Sequence, residues 1–138
     1  MQLVKLLTED ATSRIFVGTL EKSGVLLNEI EAAGFTDIPE FKLGSFYDAN
    51  MLRQLAKCRK LIRENNITVV QTHDFYTNIF GMAAAALARV PIRIAAKRET
   101  GMRTPRQMFI ERRAFSLADS IVANSERVKE YLNDSGVP

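Results

Sequence analysis

The side chains best suited to chemistry lie at the end of a short β-branched run, residues 67–73, which reads ITVVQTH. His73 is the only histidine of the chain, and Asp74 follows it directly. An imidazole can donate or accept a proton near neutral pH, or hydrogen-bond a sugar hydroxyl. The alternative is an ordinary strand-end histidine bonded to nearby backbone. No second histidine or cysteine stands at ligand spacing, so the sequence predicts no metal site.

Polar residues beside three strand-like runs are candidates to join His73 in one site. Those after residues 67–73 either cap a helix that begins near Asn78 or bind a polar ligand at its start. Those after residues 92–96 form a basic loop that either meets phosphate or is simply solvated. Those at the end of residues 119–124 and directly after them either cap a further helix or line the same site. The predicted substrate-binding residues are Asp74, Asn78, Lys97, Arg98, Glu99, Asn124 and Ser125.

Short strands alternating with helices must position these residues. Such alternation indicates a parallel sheet with helical crossovers, and ligands bind outside the carboxyl ends of its strands, where the strand order reverses. The predicted fold class is α/β: a Rossmann-like, doubly wound, mainly parallel sheet with helices on both faces. The strand-like runs, most of them rich in Val, Ile or Phe, are residues 14–20, 39–43, 67–73, 92–96 and 119–124.

Helix signals lie between the strand-like runs. Over residues 48–65 the apolar residues repeat with 4-3-4 spacing, and Asp48 can cap the start. Cys58 falls in the apolar stripe, so we expect a buried, inert thiol. Thr104 and Gln107 have the spacing of a capping box, with a proline at the first helical position.

Composition and charge exclude several classes of protein. The chain has 138 residues, of which 46% are hydrophobic and 25% charged, as expected for one globular domain. Its net charge of +3 does not by itself imply nucleic acid. The longest apolar stretch is interrupted by Arg89, Pro91 and Arg93, so no membrane span is predicted. One cysteine forms no internal disulfide, which favours a cytoplasmic location.

The two ends of the chain do not fit a complete doubly wound domain. The first residues, MQLVKLL, have a helical pattern where such a fold places its central first strand. We therefore expect residues 1–138 to form a single, partial Rossmann-like domain that lacks its first strand. Either the sequence is cut at the front or its strands have rearranged.

The order of these features resembles the N-terminal domain of family 4 glycosyltransferases of the GT-B fold. That domain shows a strand of pattern D-hydrophobic-hydrophobic-H-x-H, a small-residue helix, A-G-V-P and a further strand, matched here by residues 67–99. It then shows A-D-x-I-hydrophobic-x-x-S before a helix that ends G-x-P, matched by residues 112–138. Residues 14–35 resemble its second strand and following segment. His73 takes the place of the second histidine, whereas Gln71 takes the place of the first.

The resemblance implies a function and a separate binding role for each of two domains. In the family, two Rossmann-like domains face each other, the C-terminal one binds most of the nucleotide-sugar donor, and the N-terminal one binds the acceptor. It implies a catalytic position for His73 in a retaining, metal-independent hexosyl transfer. It also implies truncation at both ends: the C-terminal donor domain is absent, so we expect no cofactor on this domain alone and no activity of the fragment.

The expected partners follow from the same resemblance and from the basic residues. They are the missing C-terminal domain and a sugar, lipid-linked or phosphate-bearing acceptor, with no nucleic acid. Arg112 and Arg113 follow the basic loop and favour peripheral contact with anionic lipid at the inner face of the membrane.

Two other functions remain open at this point. A GT-B-like nucleotide-sugar epimerase shares the architecture but relies on several carboxylates, for which only Asp74 and Glu99 are candidates. A non-catalytic Rossmann-like binding domain predicts a well-folded monomer, and the missing central strand disfavours it.

Overall fold

The computed structural model describes residues 14–21, 25–35, 37–44, 48–101 and 103–137. The chain divides into two compact units, Met1–Gln54 and Leu55–Pro138. The helix predicted for the first residues lies outside the described ranges. The helices and strands in chain order are α1 (Val25–Ala32), α2 (Ala49–Glu64), β1 (Val69–Thr72), α3 (Phe75–Leu87), β2 (Ile92–Lys97), α4 (Pro105–Ser116), β3 (Ser120–Ala123) and α5 (Glu126–Asp134).

The first unit contains two extended segments that meet at a single parallel bridge between Thr19 and Glu40. The prediction of full strands at residues 14–20 and 39–43 was therefore wrong. Pro39 supplies no backbone N–H, so it weakens any ladder built on the second segment.

The second unit contains a parallel sheet with helices between its strands. The strand order is β1-β2-β3, and the register pairs Val69 with Ile92 and Ala95 with Ile121. This arrangement confirms the predicted α/β, Rossmann-like class. Within the described sheet β1 is an edge strand.

One apolar cluster holds α3, α4 and α5 against the sheet. Each member is at most 7% exposed, and burial of such side chains is the main stabilising term in folding. Helix α3 approaches β1 so closely at Gly81 that a Cβ placed there would collide with the Thr72 methyl group. The buried members of the cluster are Met82, Ala95, Phe115, Val128 and Leu132.

Several local signals read from the sequence are confirmed. Asp48 caps α2, since its Oδ1 accepts the Met51 N–H over 3.0 Å. At the start of α4 the Thr104 hydroxyl accepts the Gln107 N–H over 3.2 Å, and the Gln107 side chain accepts the Thr104 N–H over 3.0 Å. Burial raises the pKa of the Cys58 thiol to about 11, which agrees with an inert thiol. No helix in the described ranges is long and apolar enough to cross a membrane.

Helix α3 ends in a Schellman motif whose left-handed residue is Arg89, with φ of 57°. The Arg89 N–H donates to Ala86 O over 3.1 Å, and the Val90 N–H donates to Ala85 O over 3.0 Å. Glycine usually fills this position, because a Cβ in the left-handed region meets the following carbonyl oxygen. Arg89 also stands where the resembling family has the glycine of A-G-V-P.

We expect Arg89→Gly to raise the free energy of unfolding by about 0.5–1 kcal/mol, because it relieves the left-handed strain. Urea denaturation followed by circular dichroism measures the change. The matched control is Arg89→Ala, which removes the same side chain but keeps the Cβ and should leave stability nearly unchanged. An equal gain in both variants would show that the strain is not the cause.

Candidate functional site

A recess of about 270 Å³ opens at the carboxyl ends of β1 and β2. It brings together His73 and five of the predicted substrate-binding residues, from two separate stretches of the chain. It adds Glu111 and Arg103, which were not among the predicted site residues. The full lining is His73, Asp74, Phe75, Asn78, Ala96, Lys97, Arg98, Glu99, Arg103 and Glu111.

His73 follows β1 directly and is half-buried. Its Nδ1 lies 3.1 Å from Nη2 of Arg98, and its backbone N–H donates to the Thr77 hydroxyl over 3.2 Å. Burial lowers the pKa of His73, the charge of Arg98 lowers it further, and Asp74 opposes both. The imidazole is therefore mainly neutral at pH 7.

Asp74 is the N-cap of α3, which begins at Phe75 and not near Asn78 as predicted. The Asp74 carboxylate accepts the Thr77 N–H over 2.8 Å, and the Thr77 hydroxyl accepts the Asp74 N–H over 3.0 Å. This reciprocal capping box fixes the earlier start. It also holds the Asp74 carboxylate at the rim of the recess, where it remains exposed.

Asn78 lies one turn inside α3 and is 1% exposed, so it does not cap the helix. Its Oδ1 accepts from the Thr72 hydroxyl over 2.5 Å, and its Nδ2 donates to Ala96 O over 3.0 Å. These bonds join the ends of β1 and β2. Asn78 therefore forms the floor of the recess and holds its two strands in place.

Lys97 and Glu111 form a buried ion pair in the wall of the recess. Their side chains are 3% and 6% exposed, and Nζ lies 2.5 Å from Oε1. Nζ also lies 5.2 Å from the ring centroid of Tyr131 and 5.9 Å from that of Phe115. The pair thus joins β2 to α4 and contacts α5. A ligand reaches the Lys97 ammonium only by competing with Glu111.

Arg103 and Glu99 form a second pair, on the loop between β2 and α4. Arg103 Nη2 lies 2.5 Å from Glu99 Oε1, and its guanidinium carbon lies 4.4 Å from the ring centroid of Phe75. Its Nε is buried and has no hydrogen-bond partner in the described part of the chain. The loop predicted to be either solvated or phosphate-binding therefore packs partly against α3.

Asn124 and Ser125 lie at the carboxyl end of β3 but do not line the recess. The Ser125 hydroxyl accepts the Val128 N–H over 3.3 Å as the N-cap of α5. The Asn124 N–H donates to Lys97 O over 3.4 Å. The structure places both at the expected edge of the sheet, and assigns a capping role to one of them.

The arrangement suits recognition of a hydroxyl-bearing or phosphate-bearing group. A neutral imidazole and an exposed guanidinium stand side by side, and they offer hydrogen bonds and one positive charge. Within the described residues no group of three or more His, Cys, Asp or Glu side chains could hold a metal ion.

Comparison with known proteins identifies the family. The sequence profile described as Glycosyltransferase Family 4 matches residues 14–138, which include every residue of the recess. No match was found among curated proteins or among solved structures. The matched range covers most of the chain, and the Rossmann-like sheet agrees with the resemblance read from the sequence. The chain therefore belongs to glycosyltransferase family 4.

Proposed function

We propose that this chain forms the acceptor side of the catalytic cleft of a hexosyltransferase. The transfer runs from a nucleotide-sugar donor to an acceptor, with retention at the anomeric carbon and without a metal ion. The observation that carries the proposal is the recess, which places His73 at the carboxyl edge of a parallel sheet in a family 4 chain.

The size of the recess supports an acceptor role over a donor role. Small-molecule pockets span about 300–1,000 Å³, and the recess of about 270 Å³ falls just below that range. It accommodates one sugar or phosphate group better than a whole nucleotide sugar. The sequence also contains no glycine-rich phosphate loop of either common pattern. A second domain would supply the donor site.

His73 and Arg98 have distinct roles in this proposal. His73 is half-buried and its lowered pKa favours the neutral ring, which hydrogen-bonds a sugar oxygen at the reacting centre. Arg98 is exposed and attracts the phosphate or another acidic group of a lipid-linked or phosphate-bearing acceptor. Closure of a donor domain over the recess excludes water from the cation-like transition state.

The epimerase alternative is disfavoured by the carboxylates of the recess. An epimerase of this architecture needs carboxylates free to act near the sugar. Glu111 is paired with Lys97, Glu99 is paired with Arg103, and Asp74 caps α3. All three carboxylates are thus already engaged in holding the structure together.

Sugar transfer by the full-length protein that carries this chain tests the proposal. The protein is incubated with radiolabelled UDP-hexoses and GDP-hexoses, with and without a polar lipid extract. We expect label to enter a lipid-soluble product only when donor and extract are both present. Epimerised donor in the absence of the extract would instead support the epimerase. Transfer by residues 1–138 alone would contradict the need for a donor domain.

Contact with anionic lipid stays a prediction. Arg112 and Arg113 lie on the exposed side of α4, beside Phe109, which is 60% exposed. The Arg113 guanidinium carbon lies 5.4 Å from the Phe109 ring centroid. Sedimentation of the protein with anionic vesicles, but not with neutral ones, is the expected result, and equal sedimentation with both would contradict it.

A further inference from the structure

The contact between His73 and Arg98 fixes which ring nitrogen carries hydrogen. A guanidinium has five N–H donors and no acceptor. Because Arg98 Nη2 lies 3.1 Å from Nδ1 of His73, Nδ1 must be the acceptor and cannot itself carry a hydrogen. The single hydrogen of a neutral imidazole then lies on Nε2.

We propose that Arg98 is a positioning residue that holds His73 as the neutral imidazole with its hydrogen on Nε2. The ring then presents a hydrogen-bond donor to the ligand, and it has no free nitrogen with which to act as a general base. The consequence for sugar transfer rests on the proposed function. The state of the ring itself is a property of this chain and does not depend on that function.

The arginine reverses the usual arrangement around a catalytic histidine. A carboxylate beside Nδ1 accepts a hydrogen bond from the Nδ1–H, leaves Nε2 free as a base and stabilises the imidazolium. A guanidinium at the same place donates to Nδ1 and repels a second proton. His73 is therefore suited to stabilise negative charge on an oxygen and not to remove a proton from a hydroxyl.

After burial of the ring, Arg98 is the charged group with the largest effect on the His73 pKa. Asp74 is next in sequence and favours protonation of the ring. The remaining charges are engaged with each other, in the pairs Lys97–Glu111 and Arg103–Glu99. Among the described residues Arg98 has no carboxylate within ion-pair distance. Its charge lowers the His73 pKa, and Asp74 opposes it.

Nuclear magnetic resonance of isotope-labelled histidine tests this proposal without any ligand or turnover. The chain has one histidine, and in a longer protein the signal that disappears in His73→Gln identifies it. In the wild-type protein we expect the hydrogen on Nε2. In Arg98→Met we expect the ring to protonate at higher pH than in the wild-type protein. Arg98→Lys keeps a cationic donor and should restore most of the wild-type titration.

The matched control is Arg112→Met, which removes an equal charge from a residue that does not line the recess and donates to Gly136 O. It should leave the His73 titration unchanged. A hydrogen on Nδ1, or an unchanged titration in Arg98→Met, would overturn the proposal.

The pH dependence of transfer separates this proposal from the proposed function. If the neutral ring is the active form, Arg98→Met should lower the transfer rate at about pH 6, relative to the rate at about pH 8, by roughly twofold or more. Arg98→Lys should retain most of the wild-type ratio. An unchanged ratio together with the expected ring state would contradict the role in transfer and leave the ring state itself supported.

Discussion

Lys97→Met is expected to lower the free energy of unfolding by about 3–5 kcal/mol, the usual cost of removing one partner of a buried ion pair. The variant leaves Glu111, whose side chain is 6% exposed, as an unpaired carboxylate in the wall of the recess. The cation–π contacts with Phe115 and Tyr131 are lost as well. Urea denaturation followed by circular dichroism measures the loss.

The double variant Lys97→Met/Glu111→Leu separates the pair from its surroundings. Replacing a buried ion pair by apolar residues of similar volume is often neutral or stabilising, so we expect the double variant to recover most of the lost stability. The exposed pair Lys60–Glu64 on α2 provides a matched control, with side chains 74% and 61% exposed. Lys60→Met should cost at most about 0.5 kcal/mol.

Two results would contradict this account of the ion pair. One is a loss below about 1 kcal/mol in Lys97→Met, which would mean that water or another group compensates Glu111. The other is a double variant as unstable as the sum of the two single variants, which would show that the two residues do not act as a pair.

The strands of the second unit could be predicted closely from the sequence. Residues 67–73 and 92–96 were predicted, and Val69–Thr72 and Ile92–Lys97 are observed. Short β-branched runs between clear helix signals define such strands locally. The runs at the start of the chain have a similar composition but form a single bridge. Whether an extended segment joins a ladder depends on partners distant in sequence, which local patterns do not identify.

The sequence predicted the sheet edge on which His73 lies, but not the contacts that His73 makes. A strand's end fixes the sheet edge on which His73 lies, so its position followed from the pattern alone. Its contact with Arg98 joins residues 25 apart in sequence, and Glu111 meets Lys97 across 14 residues. Such pairings depend on the tertiary fold. One local signal for Glu111 was available, because it shares a helix face with the apolar Phe115 four residues later.

His73→Ala is expected to lower kcat/KM for sugar transfer by about 10²–10³-fold, as removal of one hydrogen-bond donor at a reacting centre typically does. The loss follows because the imidazole donates to an oxygen whose negative charge grows in the transition state. His73→Gln keeps an N–H donor at a similar reach, so it should retain more activity than His73→Ala. The fold should survive both changes, since His73 is only half-buried.

The matched control for these variants is Thr68→Ala. Thr68 is exposed and lies before β1, at the opposite end of the strand from His73. Its carbonyl oxygen accepts the Ile92 N–H, a backbone bond that alanine keeps. Transfer by this variant should match the wild-type protein.

The most direct test of the acceptor-side role is the transfer rate of the full-length protein with His73 and with alanine in its place. Radiolabelled nucleotide sugar and a polar lipid extract serve as substrates, and circular dichroism verifies that both proteins are folded. We expect transfer by the wild-type protein and a loss on the order of 100-fold or more in His73→Ala. Equal rates from the two folded proteins would contradict it.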